Sequence, residues 1–195
     1  MCLRGVPEWG LSLTTAKIML LRHAEKPDAN GTRGVAMTGS EDRRSLTVRG
    51  WQRAGALIAL FGPGLQPHTN PLLATPTTIF ASRPTTNSVR SFHTLEPLAQ
   101  RLSIDIDLNY GDSEEAALAA RVIAGNGIVL ISWKHDGLPK LGNAIVGNAT
   151  TCPQLWPKDR FDLVWVFDRP IGGAAWRFAQ VPQLLLTGDR AEPIA

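Results

Sequence analysis

Residues 17–25 read Lys-Ile-Met-Leu-Leu-Arg-His-Ala-Glu, an apolar run that ends on two cationic side chains. It shows no alternation of polar and apolar residues, and turn formers flank it, Thr14-Thr15 before and Pro27, Asn30 and Gly31 after. That is the pattern of a short strand buried on both faces, as in a parallel sheet covered by helices. Two further runs read the same way, Thr77 to Ser82 (TTIFAS) and Gly127 to Trp133 (GIVLISW), and Ile104 to Leu108 is a shorter candidate. Helical patterns lie between them. After Thr47, a suitable N-cap, Trp51, Ala54, Ile58 and Phe61 recur at helical spacing until Gly62-Pro63 stops the chain. Phe92, Leu95, Ala99 and Leu102 form a second stripe, in which Pro97 predicts a kink or two short helices joined near Leu95-Glu96. Asp112-Ser113-Glu114-Glu115 reads as a cap with first-turn acids, opening a helix to Gly125, and Pro139 starts another toward Gly147. Phe161 to Phe167 and Ala175 to Leu186 are late strands, with Pro182 placing the last on an edge.

Strands alternating with helices predict a three-layer α/β/α sandwich around a mostly parallel central sheet. At 195 residues the chain is one domain's worth, so 1–195 is read as a single domain with 1–16 an irregular N-terminal extension. With 44% hydrophobic and 19% charged residues, intrinsic disorder is excluded. The net charge of +3 and the lack of a basic run argue against a nucleic-acid binder. No apolar stretch approaches the roughly 20 residues of a membrane span, and residues 1–16 do not resemble a secretion signal. Cys2 and Cys152 alone support neither a disulfide scaffold nor a zinc site, which suits a reducing, cytoplasmic setting.

Ligands of such folds bind beyond the carboxyl ends of the strands. Three strands here end at reactive side chains: Arg22-His23, Ser82-Arg83 and Lys134-His135-Asp136. Arg90 opens a helix, where free backbone N–H groups also attract anions. Two histidines and two arginines form a pocket suited to a tetrahedral dianion such as phosphate, with no metal or other cofactor required.

The ordered set resembles the histidine phosphatase superfamily, also called phosphoglycerate mutase-like. It consists of a strand followed by LRHAEKP at 21–27, then Leu46-Thr47-x-Arg49-Gly50-x-x-Arg53-Ala54, then Arg90-x-x-x-Thr94 with Glu96-Pro97-Leu98-Ala99, then a strand followed by His135. The resemblance implies that His23 is a nucleophile that becomes phosphohistidine. It also implies that Arg22, Arg90 and His135 complete the substrate-binding phosphate pocket. The general acid has two sources in the family: Asp136 matches the His-Asp pair of the acid phosphatase branch, and other members supply a Glu from the region that here offers Asp112, Glu114 and Glu115. Asp136 also fits the cap of the following helix.

Two departures stand out. The usual Gly after the nucleophile is Ala24, which fits if its φ is negative, and Arg83 rivals Arg90 as the second arginine because Ser82 and Arg90 are eight residues apart. The sugar-phosphate mutases carry a longer signature where this chain has Glu25 to Asn30, so the expected activity is that of a metal-independent phosphatase. The expected substrate is a small phosphomonoester, phosphohistidine or a phosphoprotein, with no nucleic-acid or membrane partner. The alternatives are a mutase-type phosphotransferase and a noncatalytic phosphate-binding module.

Overall fold

The apolar run that follows Thr15 becomes one of the two central strands of a six-stranded sheet. The structure is a computed structural model that describes residues 14–64, 68, 70–173 and 175–195. In chain order its elements are β1 (Thr14–Arg22), β2 (Gly34–Val35), β3 (Leu46–Thr47), α1 (Val48–Phe61), β4 (Thr78–Ala81) and α2 (Arg90–Leu102). Then come β5 (Ile106–Asp107), α3 (Glu115–Ile123), β6 (Gly127–Trp133), α4 (Leu138–Val146), β7 (Leu163–Pro170) and β8 (Arg177–Pro182). The sheet order is β5-β4-β6-β1-β7-β8. The β5–β4, β4–β6 and β6–β1 pairs are parallel, and β7 and β8 are added antiparallel. Strands β2 and β3 form a small separate ribbon in the polar stretch between residues 26 and 47.

Because successive side chains of a strand point to opposite faces, the unbroken apolar run of β1 feeds two cores. Ile18 and Leu20 pack with Leu118, Ala119 and Val122 of α3 and with Leu138, Leu141 and Ile145 of α4. Met19 and Leu21 pack with Leu57, Leu60 and Phe61 of α1 and with Leu95, Leu98 and Ala99 of α2. The result is the three-layer α/β/α sandwich. Each fully buried Leu or Ile contributes about 1.5–3 kcal/mol, and the buried polar residue Lys17 within β1 is paired with Asp168 of β7. No helix among the described residues is long and apolar enough to cross a membrane.

Local expectations differ from the structure in three places. Residues 14–16 belong to β1, so what remains of the expected extension lies outside the described residues. Pro97 neither kinks α2 into two helices nor ends it. It removes one donor to the carbonyl of His93, but Leu95, Leu98 and Ala99 on both sides of it are buried and hold the helix to the sheet. Asp112 does not cap α3. Ser113 has a left-handed φ of 69°, which a helix cannot include, and α3 therefore starts at Glu115 with Glu114 at its N-cap. Pro182 ends β8, which is an edge strand as expected.

One glycine fixes how α1 meets β1. Thr47 caps α1 by accepting from the N–H of Gly50, and its own N–H donates to the carbonyl of Glu25 at 3.0 Å. A Cβ on Gly50 would lie 2.5 Å from that same Glu25 oxygen. Backbone cannot yield as a flexible side chain would, so Gly50→Ala is expected to destabilise the protein by about 1–3 kcal/mol. Denaturant unfolding of the two proteins checks this, and equal midpoints would contradict the close approach.

Candidate active site

Strands β1, β4 and β6 run parallel, so their carboxyl ends share one edge of the sheet. Arg22 pairs with Trp133 in register, and the N–H of His23 donates to the carbonyl of Trp133 at 2.9 Å. Two and three residues past that pairing are His135 and Asp136, and Arg90, at the N-terminus of α2, is close enough to act on His23.

His23 is 5% exposed. Its Nδ1 lies 2.8 Å from the carbonyl oxygen of Ala24. A carbonyl only accepts, so the neutral ring carries its proton on Nδ1 and leaves Nε2 with a lone pair. Burial, followed by the charges of Arg22, Arg90 and Lys26, lowers the His23 pKa to about 3. The ring is therefore neutral at physiological pH.

Arg22 is fully buried, yet among the described residues no carboxylate pairs with it. Its Nη1 donates to the carbonyls of Pro157, Lys158 and Arg160 at 3.2, 2.6 and 3.0 Å, and its guanidinium stacks on Phe161, 3.8 Å from the ring centroid. Phe161 also lies against the His23 ring. Nε and Nη2 of Arg22 have no partner among the described residues. Burial lowers the pKa of this group to about 10 although Asp159, Glu25 and Asp136 pull it upward. Two unsatisfied donors on a desolvated cation are an unusual cost, and they form half of a bidentate anion fork.

Arg90 is held from outside. Its Nε donates to the carbonyl of Ser45, Nη2 to that of Arg43, and Nη1 to Ser88 Oγ. Thr94, one turn into α2, accepts from the N–H of Ala24 at 2.8 Å and donates to the carbonyl of Arg90 at 2.7 Å, which ties the helix start to the segment that follows His23. Ala24 is buried and is not among the residues with positive φ, so the replacement of Gly at this position carries no strain. His135 is half-buried, and burial together with Arg22 lowers its pKa. Asp136 is exposed and has no hydrogen bond or ion pair among the described residues; Gly137, not Asp136, is the N-cap of α4. Its charge acts on Arg22, Lys26 and His135. A Cβ on Gly137 would meet Trp133 Nε1 at 2.5 Å, so a glycine there lets the chain turn tightly enough to bring His135 and Asp136 to the edge.

The rival residues are engaged elsewhere. Arg83 pairs with Glu114 and donates to the carbonyl of Asn109. Asp112 pairs with Lys134, and Glu115 is buried, accepting from Trp133 Nε1 at 3.1 Å. None of them acts on His23. His68 bonds the Leu60 carbonyl through its Nδ1 at 3.1 Å. His93 lies between the rings of Trp51 and Phe92 and bonds Ser45. Arg33 and Arg44 are tied to Glu41 and Asp42 of their own loop. Cys152 is buried and its thiol is pushed up to about 12 by desolvation, which suits an inert thiol. No group of three or more His, Cys, Asp or Glu among the described residues is arranged to hold a metal ion.

Several residues at the site escaped sequence reasoning. Glu25 is clamped by Arg53, which also holds Asp189 and Gln183, and by Arg49. The helix-start motif containing Arg49 and Arg53 carried that signal. Lys158 and Phe161 come from an irregular loop between α4 and β7; no pattern marks Lys158, and Phe161, expected to open a strand, precedes β7, which starts at Leu163. Lys26 stood inside the RHAEKP segment but had no partner in sequence to suggest a role.

The depressed His23 pKa makes a stability prediction. The unfolded ring titrates near 6.5, whereas the folded ring stays neutral to about 3, so below pH 6.5 the unfolded state binds a proton that the folded state refuses. Between pH 7 and pH 4 the wild type should therefore lose stability relative to His23→Ala, by on the order of 3 kcal/mol. Denaturant melts of both proteins across that range read the difference, and parallel curves would contradict a neutral buried ring.

No family model matches the sequence. No curated protein matches it either. Solved structures do match in shape. A provisionally named phosphohistidine phosphatase SixA from Agrobacterium tumefaciens is similar at 18% identity and TM-score 0.50, covering 85% of this chain and 96% of that one. A protein histidine phosphatase SixA bound to tungstate is similar at 17% identity and TM-score 0.51, covering 86% and 97%. A mycobacterial glucosyl-3-phosphoglycerate phosphatase in complex with VO3 is similar at 13% identity and TM-score 0.50, covering 85% and 97%. Identities this low speak to architecture alone, and on that ground the chain has the phosphoglycerate mutase-like fold of the histidine phosphatase superfamily.

Proposed function

We propose that the protein is a metal-independent phosphatase that hydrolyses a phosphomonoester or a phosphohistidine, carrying the phosphoryl group on His23 between two half-reactions. One observation carries this reading. A neutral imidazole with Nε2 open lies beside a buried guanidinium whose Nε and Nη2 have no partner, so a nucleophile and an oxyanion clamp are built into adjacent residues. Tungstate and VO3, held by two proteins that share the fold, are oxyanions, the ligand class such a clamp suits.

In the first half-reaction, the Nε2 lone pair attacks phosphorus and the bond to the leaving oxygen breaks. Arg22 and Arg90 neutralise charge on the phosphoryl oxygens, and His135 donates a hydrogen bond to one of them. Asp136, in its protonated form, gives its proton to the departing oxygen. In the second half-reaction, the Asp136 carboxylate takes a proton from water as that water attacks the phosphohistidine. Phosphate then leaves, and His23 returns to its neutral form. The bond from Nδ1 to the Ala24 carbonyl keeps Nε2 aimed outward and stabilises the positive ring that forms on attack. The substrate in this reading is a small phosphorylated molecule or a phosphoprotein.

Hydrolysis of p-nitrophenyl phosphate and of an alkyl phosphate in the presence of chelator tests this. Activity should vanish in His23→Ala, and the wild type quenched during turnover should carry acid-labile phosphate on His23. Asp136→Asn should lose about 10²–10⁴-fold on the alkyl ester and much less on p-nitrophenyl phosphate, whose leaving group needs little protonation. Turnover that survives in His23→Ala would overturn the assignment.

A further inference from the structure

In the phosphatase reading Arg90 is the outer half of the phosphate clamp, and carbonyls rather than a carboxylate hold it. Its Nε donates to the carbonyl of Ser45 at 3.2 Å and Nη2 to that of Arg43 at 2.7 Å, while Nη1 bonds Ser88 Oγ at 3.2 Å. Among the described residues that leaves one hydrogen on each of Nη1 and Nη2 for an anion. The aim of the guanidinium is therefore set by where residues 43–45 lie.

Those residues end the polar stretch between β2 and β3. Arg43 and Arg44 are exposed, whereas Ser45 is fully buried. The stretch docks on the start of α2 through backbone and side chain. The N–H of Val89 donates to the carbonyl of Arg44 at 3.1 Å, and Ser45 Oγ lies 2.7 Å from Nδ1 of His93, one turn past Arg90. Ser45 thus meets α2 twice, its carbonyl on Arg90 and its hydroxyl on His93. The hydroxyl has no other partner among the described residues, and a buried hydroxyl whose hydrogen lacks an acceptor is penalised. It therefore donates to Nδ1, and the neutral His93 ring carries its own proton on Nε2, the opposite tautomer from His23. The ring is held on its other sides by Trp51 of α1, with centroids 5.0 Å apart, and by Phe92, 5.6 Å away. Trp51 Nε1 in turn donates to the carbonyl of Val35 in β2 at 2.8 Å. The small ribbon, α1 and α2 all converge on this one half-buried imidazole.

We propose that Ser45 and His93 are positioning residues for Arg90 and form an acid-sensitive catch, in which protonation of His93 reverses their hydrogen bond and loosens the phosphate clamp. The inference rests on the reading of Arg90 as a phosphate ligand and adds a control over it. An imidazolium carries a hydrogen on Nδ1 and accepts nothing there, so the Ser45 hydroxyl must turn toward surroundings that offer it no acceptor among the described residues. Asp42 and Arg44 of the docked stretch act on the ring with opposite signs, Asp42 favouring the imidazolium and Arg44 opposing it. α1 faces it with the uncharged indole of Trp51, and on α2 Arg90 lies one turn before it and Glu96 one turn after. Burial outweighs Asp42 and holds the His93 pKa below the usual 6.5, so the catch is closed at physiological pH and opens in acid. Asp42, which accepts from the N–H and the guanidinium of Arg44, is held below the usual carboxylate range and keeps its charge while His93 titrates.

Calorimetric titration with inorganic phosphate tests the catch. At pH 7.5, Ser45→Ala and His93→Leu should each bind phosphate about two- to tenfold more weakly than the wild type, the worth of one hydrogen bond. The two changes combined should weaken it no more than either alone. His93→Gln, whose amide oxygen can accept from the same hydroxyl, should recover most of the loss. In an Arg90→Ala background, itself a weaker binder, neither His93→Leu nor Ser45→Ala should have a further effect, because residues that act through one group are not additive. Ser45→Ala, which removes a single oxygen, carries the same comparison if His93→Leu does not fold. From pH 7.5 to pH 4.5 the wild type should lose affinity relative to His93→Gln by a similar factor, and comparing the two at each pH cancels the titration of phosphate and of every other group. Equal losses with and without Arg90, or a ratio of wild type to His93→Gln that stays constant across the range, would overturn the catch and leave the phosphatase reading standing. Phosphate affinity untouched by Arg90→Ala would remove Arg90 from the pocket and the catch with it. Turnover of p-nitrophenyl phosphate that survives in His23→Ala would defeat the phosphatase reading alone.

Discussion

A buried guanidinium that no carboxylate among the described residues neutralises sets the terms for this sheet edge. Desolvating a charge costs several kcal/mol even after relaxation, and Arg22 is fully enclosed. The fold answers with dipoles: the carbonyls of Pro157, Lys158 and Arg160 in one loop converge on Nη1, and an aromatic face lies over the planar cation. That requirement explains why the segment between α4 and β7 has its shape. Trp156 Nε1 donates to the Arg160 carbonyl at 2.9 Å, and Arg160 itself is locked to Asp162 at 2.7 Å, so the loop is braced to present its carbonyls inward. Dipoles stabilise the charge without cancelling it, which leaves the cation able to attract an anion.

The acid two residues past His23 would undo this if left loose. A Glu25 carboxylate turned toward Arg22 would occupy the donors that phosphate would use. The structure prevents it by giving Glu25 two other arginines, Arg53 at 2.8 Å and Arg49 at 3.2 Å, with Asp189 completing the set. Arg53 spends its donors on Glu25, Asp189 and Gln183, and Asp189 in turn accepts from the N–H groups of Leu185 and Leu186. The clamp reaches from the segment after β1 to the chain beyond β8. Its job is partly to keep a negative charge away from the site.

Much of the architecture was legible because the sheet is covered on both faces: a strand such as β1 or β6 has to be apolar without alternation, and few other structures are. The placement of Arg22, His23 and His135 followed from strand direction alone. The failures have physical causes. Pro97 obeys a local rule that packing of Leu95 and Leu98 overrides. The acids at 112–115 looked equivalent in sequence, but one left-handed residue, Ser113, sends them to three different partners. Lys158 was invisible because a loop that approaches the site from over a hundred residues away leaves no periodic trace, and Phe161, read as the start of a strand, lies in that loop because β7 begins only at Leu163.

The position of β1 in the sheet has a consequence for the way the chain reaches its native state. The earliest described strand is flanked on both sides by late ones, Ala16 beside Gly127 and Lys17 beside Asp168. Neither edge of β1 can be satisfied locally, and its two apolar faces wait for helices that are themselves spread along the chain. Long loops must close before those contacts form, which slows folding in proportion to the non-local share of the contacts. During synthesis β1 would emerge as an unpaired, wholly apolar strand well before its partners, a segment with every feature that favours wrong pairing. The buried cation at its end is then one of the last groups to be enclosed, since the carbonyls that hold it are made after both neighbouring helices, α3 and α4.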